Sequence, residues 1–251
     1  MTAGLSGLGV LVTRPAHQAE ALCLAIEQAS GRAVRLPLLT IEPAADAAAV
    51  AAQLAASRDA DLWIFTSANA VREAARLDQG AWPKLAAAGA ATAAALRTAG
   101  REAALVPEGD GTPGLLADPR LAQPRGQRIL VVTGENTLPG LAETLRERGA
   151  EVAVAAVYRR APVTHAPAAV TAALAVAEVA IVSSTEALAH LVELTPAELR
   201  PRLLGLQLAL PSARVVEKAR ALGFTRTPLL PTRVADAAYL ELLHNWRQEH
   251  Q

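Results

Sequence analysis

The chain has 251 residues, 52% of them hydrophobic, and its 24 Lys and Arg residues balance its 24 Asp and Glu residues. This length suggests one large or two medium-sized domains, and the balanced charge argues against a nucleic-acid-binding or membrane-surface protein that relies on bulk positive charge. The single cysteine, Cys23, cannot form an internal disulfide, and the five histidines lack the spacing of metal ligands.

Strand-like and helix-like segments alternate along the sequence. Short apolar runs predict buried strands, and the alanine- and leucine-rich runs between them predict helices. In chain order, strands are predicted over residues 8–13, 34–41, 62–66, 84–89, 103–106, 128–133, 152–158, 179–183, 206–210 and 227–230. Helices are predicted over residues 15–30, 44–57, 68–77 and 91–99, from Thr112, over 139–148 and 185–194, from a capping box at 195–198, and over 212–222 and 234–246. This alternation predicts an α/β protein whose parallel sheets are covered by helices on both faces.

Two parts of the chain are similar to each other. Residues 61–71 align with residues 178–188, and each part has an acidic residue, an apolar run, two hydroxyl residues and the start of a helix. A hydroxyl residue also lies at a helix start in residues 89–93 and 210–213. The similarity predicts two related α/β domains.

The sequence gives no sign of a membrane or secretory segment. Charge or proline interrupts every apolar stretch before about 18 residues, the length that a membrane-spanning helix needs. Residues 1–9 lack a basic region followed by a long apolar run. We therefore expect a cytoplasmic protein that does not contact a membrane.

Several side chains that could hold an anion follow the predicted strands. Helix N-termini at the carboxyl ends of parallel strands attract anions, and several of them around one ligand would suit a molecule with many carboxylates. The same hydroxyls could instead act only as N-caps. Arg14, at the end of the first strand, could bind a carboxylate through two hydrogen bonds or could be an ordinary surface arginine. The hydroxyl residues are Thr66, Ser67, Thr92, Ser183, Ser184, Thr185 and Ser212.

Two further features could take part in chemistry. Tyr158 ends an apolar strand and could donate a hydrogen bond or a proton, or could simply lie at a strand end. Residues 109–114 match the pattern G-x-G-x-x-G, but Glu108 and Asp110 would repel a pyrophosphate, so a surface turn is the simpler interpretation. The sequence has no nucleophile elbow, phosphate-binding loop or zinc-protease motif. The protein therefore either binds a ligand without reaction or catalyses a reaction that depends mainly on positioning.

Seven short motifs follow one another along the sequence: residues 10–15, 65–71, 89–93, 106–108, 134–136, 145–152 and 157–160. Taken together, they resemble the uroporphyrinogen-III synthase family over nearly the whole chain. Their order and spacing carry the resemblance more than any one of them does. In two places the sequence departs from the family pattern: Ala91 stands where proline is usual, and Thr133 where arginine is common.

The resemblance implies a flavodoxin-like α/β fold of two similar domains, each a parallel sheet flanked by helices, joined by a two-stranded β linker. Residues 1–37 and 162–251 would form one discontinuous domain, and residues 42–155 the other. The linker strands would be residues 36–42 and 155–162.

The resemblance also implies an activity: cyclisation of hydroxymethylbilane with inversion of ring D and loss of water, in tetrapyrrole and heme biosynthesis, without a cofactor or a metal. Tyr158 would help the hydroxyl group of the substrate to leave. A monomer is expected, with transient contact to the upstream hydroxymethylbilane synthase and no nucleic-acid partner. The substrate-binding residues would be Arg14, Thr66, Ser67, Asn69, Thr92, Gly134, Glu135, Asn136, Ser183, Ser184 and Ser212.

Two alternatives remain open at this point. The same two-domain organisation would suit a non-catalytic receptor for a small polyanionic ligand. The glycine-rich turn at residues 109–114 would suit an enzyme that binds a nucleotide or a flavin.

Overall fold

The computed structural model describes residues 4–109, 111–135 and 140–250. The chain divides into two compact units: the first contains residues 1–40 and 161–251, and the second contains residues 41–160. The strands are β1 (Gly9–Val12), β2 (Arg32–Arg35), β3 (Leu39–Pro43), β4 (Leu62–Phe65), β5 (Leu85–Ala87), β6 (Arg128–Gly134), β7 (Glu151–Pro162), β8 (Val179–Ile181) and β9 (Gln207–Ala209).

Helices lie between most of these strands. In chain order they are α1 (Ala16–Gln28), α2 (Ala47–Ala56), α3 (Ala68–Leu77), α4 (Ala90–Thr98), α5 (Gly111–Ala117), α6 (Gly140–Glu147), α7 (Pro167–Val176), α8 (Thr185–Leu194), α9 (Arg200–Leu204), α10 (Ala213–Ala221) and α11 (Asp236–Glu249). Within the described residues, no helix is both long and apolar enough to cross a membrane.

The first unit contains a parallel sheet with the strand order β2-β1-β8-β9. A single parallel bridge between Ala209 and Leu229 continues it beyond β9. Because side chains alternate along a strand, Val10 and Val12 pack towards α1 and α11, whereas Leu11 packs towards α7, α8 and α10. The sheet is therefore buried on both faces, as the alternation in the sequence predicts.

The second unit repeats this design with a different chain connection. Its sheet has the order β3-β7-β6-β4-β5, the pairs β7–β6, β6–β4 and β4–β5 are parallel, and a bridge between Ala86 and Leu105 follows β5. In spatial order, β7, β6, β4 and β5 correspond to β2, β1, β8 and β9 of the first unit. The aligned segments 61–71 and 178–188 thus contain equivalent strands, β4 and β8. The α/β class, the parallel sheets and the related units are as expected from the sequence.

Several predicted elements differ in detail. The strand predicted over residues 34–41 is two strands, β2 and β3, because the chain around Pro37 leaves the first sheet. The predicted strands at residues 103–106 and 227–230 are reduced to single bridges at Leu105 and Leu229. Helix α7 was not predicted from the sequence, although Pro167 occupies its first turn.

Two predicted helix caps are wrong. The Thr195 hydroxyl donates a hydrogen bond back to the Leu191 carbonyl at 2.7 Å, so it does not form a capping box, and only a 3₁₀ turn, Ala197–Leu199, precedes α9. Helix α5 begins at Gly111, so Thr112 lies inside its first turn instead of capping it.

Candidate functional site

The point where strand order reverses lies between β4 and β6 in the second unit and between β1 and β8 in the first. In the second unit, β4 leads to α3 on one face of the sheet and β6 leads to α6 on the other. Parallel α/β sheets bind ligands at the carboxyl ends of such strand pairs. The predicted site residues fall into two groups, one at each of these two points.

Tyr158 and Ser67 meet at the switch point of the second unit. The Tyr158 phenol oxygen lies 3.2 Å from the Ser67 Oγ, and Ser67 Oγ also accepts a hydrogen bond from the Ala70 backbone N–H at 3.1 Å. Ser67 is therefore the N-cap of α3, as predicted from its position before the helix. Tyr158 is only 3% exposed, so its ring is held within the core of the unit. The structure brings the predicted catalytic group and a helix N-terminus together.

The ends of β4 and β6 are joined by two threonine hydroxyls. Thr66 Oγ1 lies 2.8 Å from Thr133 Oγ1, and it is also 3.4 Å from the Val132 carbonyl oxygen. Thr133 is buried. The sequence singled out Thr66 but noted Thr133 only as a departure from the family pattern. Thr133 is thus a candidate site residue that sequence reasoning missed.

Two residues at the end of β6 lie against Tyr158. Gly134 is buried and pairs with Tyr158 in the ladder between β6 and β7. The Glu135 backbone N–H donates a hydrogen bond to the Tyr158 carbonyl at 2.7 Å. Asn136, the next predicted residue, lies outside the described part of the chain.

Thr92 and Asn69 occupy the first turns of the neighbouring helices. Thr92 is 5% exposed and lies in the first turn of α4, which follows β5 and begins after Gly89. Among the described residues, no hydrogen-bond partner of the Thr92 hydroxyl is found, so this hydroxyl could serve a ligand. Asn69, in the first turn of α3, accepts a hydrogen bond from Arg72 at 3.0 Å.

At the switch point of the first unit, Arg14 lies next to the start of α11. Arg14 Nη1 lies 2.5 Å from Asp236 Oδ1, and the guanidinium carbon is 5.0 Å from the centre of the Tyr239 ring. Burial raises the pKa of the Tyr239 phenol above its ordinary value, against a smaller opposite effect of Arg14, so Tyr239 stays neutral. Asp236 and Tyr239 were not singled out from the sequence, because more than 200 residues separate them from Arg14.

The serines of the first unit differ among themselves. Ser184 caps α8 by accepting the Ala187 N–H at 3.0 Å, the same arrangement as Ser67 with Ala70. Ser183 is exposed, and Ser212 is exposed at the N-cap position of α10 without a side-chain cap bond. Ser183, Ser184 and Ser212 follow β8 and β9, at the same edge of the sheet as Arg14.

The other candidate features have structural explanations. Cys23 is fully buried in the core, as expected. In the glycine-rich turn, a Cβ on Gly114 would lie 2.0 Å from the Gly109 carbonyl oxygen, so close backbone packing already requires glycine there. No cluster of three or more potential metal ligands occurs within the described ranges.

Comparison with known proteins identifies the family. The family model described as uroporphyrinogen-III synthase HemD matches residues 20–232. Over 227 residues the chain is 32% identical to uroporphyrinogen-III synthase of Escherichia coli (strain K12), a match that covers 86% of this chain and 92% of the relative. The chain belongs to the uroporphyrinogen-III synthase family. A relative from Salmonella typhimurium with the same coverage is 31% identical.

Solved structures of the family share the fold. A mutant uroporphyrinogen-III synthase from Thermus thermophilus aligns with a TM-score of 0.63 at 21% identity, over 96% of this chain and 99% of that one. The enzyme from Helicobacter pylori 26695 aligns with a TM-score of 0.62 at 13% identity, over 95% and 99% of the two chains. At these identities the likeness supports the fold, while membership of the uroporphyrinogen-III synthase family rests on the sequence matches.

Proposed function

We propose that this chain catalyses the cyclisation of hydroxymethylbilane, with inversion of ring D and loss of water, in tetrapyrrole biosynthesis. One observation carries the proposal: the match to the Escherichia coli uroporphyrinogen-III synthase extends over 86% of the chain. The family match favours this lyase over a non-catalytic receptor for a polyanion. The cyclisation also suits a sequence without a strong acid–base motif, because directing the closure of the ring depends mainly on the orientation of the substrate.

Tyr158 is the proposed catalytic residue. Its phenol would donate a hydrogen bond to the hydroxyl group of the substrate, and this group leaves as water when the carbon–oxygen bond breaks and a proton is transferred to it. The ring carbon that forms the new carbon–carbon bond loses a proton in turn, so the net change is the loss of one water. The contact with Ser67 at 3.2 Å supports this role, because it holds the phenol at the carboxyl end of the sheet, beside the N-terminus of α3. A buried and hydrogen-bonded phenol is restricted to few orientations, as a group that directs a reaction must be.

The remaining predicted residues are proposed as contacts for the carboxylates of the substrate. Hydroxyls and helix N-termini can donate hydrogen bonds to carboxylates without bringing further charge into the site. Arg14 would add a charge-assisted contact. We propose this role for Arg14, Thr66, Ser67, Asn69, Thr92, Asn136, Ser183, Ser184 and Ser212. The N–H of Glu135 is bonded to the Tyr158 carbonyl, so Glu135 is proposed to bind the substrate through its own carboxylate, as an acceptor from a hydrogen-bond donor of the substrate.

We further propose that residues 36–42 and 155–162 are linker strands between the two units. The division of the chain at residues 40/41 and 160/161 supports this assignment, because both points lie inside these segments. A cytoplasmic monomer that contacts the upstream hydroxymethylbilane synthase transiently is the simplest form in which an enzyme could receive an unstable linear substrate.

A coupled assay tests the activity. Hydroxymethylbilane is generated in situ, the protein is added, and the porphyrin isomers are separated after oxidation. The proposal predicts mainly the type III isomer, whereas heat-denatured protein should leave only the type I isomer that forms without an enzyme. Type I product alone from correctly folded protein would contradict the enzyme and leave the polyanion receptor as the better explanation.

A further inference from the structure

The ladder between β6 and β7 is irregular next to Tyr158. Thr133 pairs with Ala156, but the next residue of β6, Gly134, pairs with Tyr158, so Val157 is an extra residue on β7. Such a β-bulge changes the direction of the side chains that follow it. Because the bulge directly precedes Tyr158, it determines which face of the sheet the Tyr158 side chain points to.

The effect is visible in the packing of β7. In a regular strand, neighbouring side chains point to opposite faces of the sheet. Ala155 and Val157 both pack in the core formed with α2, α3 and α4, and Tyr158 packs in this same core although it directly follows Val157. If residues 155–158 instead formed a regular strand, with Val157 paired to Gly134, Tyr158 would point to the face covered by α5 and α6, away from Ser67. The bulge thus turns the phenol towards Ser67.

Gly134 leaves the space that the Tyr158 ring occupies. A Cβ on Gly134 would lie 2.5 Å from Tyr158 Cζ and 2.7 Å from Cε2, much closer than non-bonded carbon atoms approach. The clash would fall on the end of the ring that carries the hydroxyl. The backbone of Gly134 is not in the left-handed region, so glycine is needed here for space and not for an unusual conformation.

We propose that Gly134 is a positioning residue for Tyr158: together with the bulge at Val157 it fixes the ring so that the phenol stays beside Ser67. The ring covers the side of Gly134 on which a side chain would stand, so Gly134 acts through Tyr158. This inference rests on the proposed function in one respect, the role of Tyr158 in the loss of the substrate hydroxyl.

The test compares Gly134→Ala with Gly140→Ala. Gly140 is the control because an added Cβ there would meet nothing within 4 Å. We expect Gly134→Ala to lower kcat at least about tenfold, a part of the roughly 10²- to 10⁴-fold that a positioned acid–base group contributes, and to leave KM within about twofold. In a Tyr158→Phe background Gly134→Ala should lower kcat no further, because residues that act as a unit are not additive. A general structural defect would lower kcat in both backgrounds.

A second measurement does not depend on activity. The chain has two tyrosines, so protein labelled with ¹³C at the tyrosine ε positions should give two ring signals, which Tyr239→Phe assigns. Gly134→Ala should shift the Tyr158 signal, and Gly140→Ala should not. An unmoved Tyr158 signal, or an equal loss of kcat in the Tyr158→Phe background, would overturn the positioning role. Tyr158→Phe could instead be fully active while Gly134→Ala shifts the Tyr158 signal. The proposed catalytic role of Tyr158 would then fail, and Gly134 would remain the residue that positions the ring.

Discussion

Arg14 Nη1 and Asp236 Oδ1 lie 2.5 Å apart, and this pair joins the end of β1 to the first turn of α11. The Arg14 side chain is 13% exposed and that of Asp236 is 37% exposed. This contact uses one of the five N–H donors of a guanidinium. Arg14 is therefore held in place by Asp236 while further donors remain for a carboxylate.

Replacing Arg14 by Ala should raise KM by about 10- to 100-fold, the loss expected for one hydrogen bond between charged groups, and change kcat little. It should also lower the free energy of unfolding by about 1 kcal/mol, because the ion pair is only partly buried. Steady-state kinetics and urea unfolding measure both effects. Arg35→Ala is the control, since Arg35 forms surface ion pairs with Glu20 and Glu27 in the same unit. Equal KM values for the two variants would remove Arg14 from the substrate site.

Ser67→Ala removes two contacts at once, the N-cap of α3 and the hydrogen-bond partner of the Tyr158 phenol. We expect a loss of about 1 kcal/mol of stability from the cap and a fall in kcat of about tenfold from the freed phenol. Asp46→Ala is a matched control, because Asp46 caps α2 of the same unit by accepting the Ala49 N–H at 2.8 Å. It should lower stability similarly and leave kcat unchanged. A similar loss of kcat in both variants would mean that the loss follows from lower stability and not from the contact between Ser67 and Tyr158.

The sequence predicted the strand–helix alternation well because burial and helix propensity are local properties. Ser67 and Ser184 were recognised as residues at helix starts for the same reason, and both are N-caps. The single bridges at Leu105 and Leu229 were predicted as strands because apolar composition does not show where pairing stops.

The contacts that define the site could not be predicted in the same way. The bulge at Val157 depends on the register between β6 and β7, which no local pattern in either strand reveals. The partners of Arg14 lie on α11, at the far end of the chain. Thr133 is recognised as a candidate site residue by its hydrogen bond to Thr66, a contact between two different strand ends. Such relationships arise from tertiary packing, so only the folded chain shows them.

Asp78 should make the stability of the second unit depend on acidic pH. Burial by itself raises the pKa of this carboxyl, but hydrogen bonds from Arg58, the Gly80 N–H and Trp82 outweigh burial and hold the pKa below its ordinary value of 3.8. A lowered pKa means that the unfolded chain takes up the proton first, so this stability is present above about pH 4 and is lost as pH falls through the lower pKa of the folded state.

Asp78→Asn should therefore lower the free energy of unfolding by about 1–3 kcal/mol at pH 7, and the difference from the unmodified protein should shrink steadily below about pH 4. Urea unfolding of both proteins at a series of pH values measures this difference in the free energy of unfolding. Asp59→Asn is the control, because Asp59 is exposed and pairs with Arg128 at the surface, where ion pairs contribute little. A difference that stays constant down to about pH 2 would show that the charge of Asp78 does not contribute.

Cys23 should be unreactive in the folded protein. It lies on α1 with no exposed surface, and burial raises the pKa of its thiol above the ordinary value of 9.0; nearby arginines lower this pKa slightly and nearby glutamates raise it slightly. Because the thiolate is the reactive form, an aromatic disulfide reagent at about pH 8 should modify native protein slowly and unfolded protein at once, with one equivalent of thiol per chain.

Core substitutions at Cys23 test the packing directly. Cys23→Ala should lower the free energy of unfolding by about 1 kcal/mol, because it leaves only a small cavity. Cys23→Ser should be more destabilising, because it places a hydroxyl among apolar side chains of α1 and α11. Both variants should keep kcat, since the Cys23 side chain packs in the apolar core with residues of α1 and α11. Rapid modification of the native thiol, together with a Ser variant as stable as the Ala variant, would show that this part of the first unit opens readily to water.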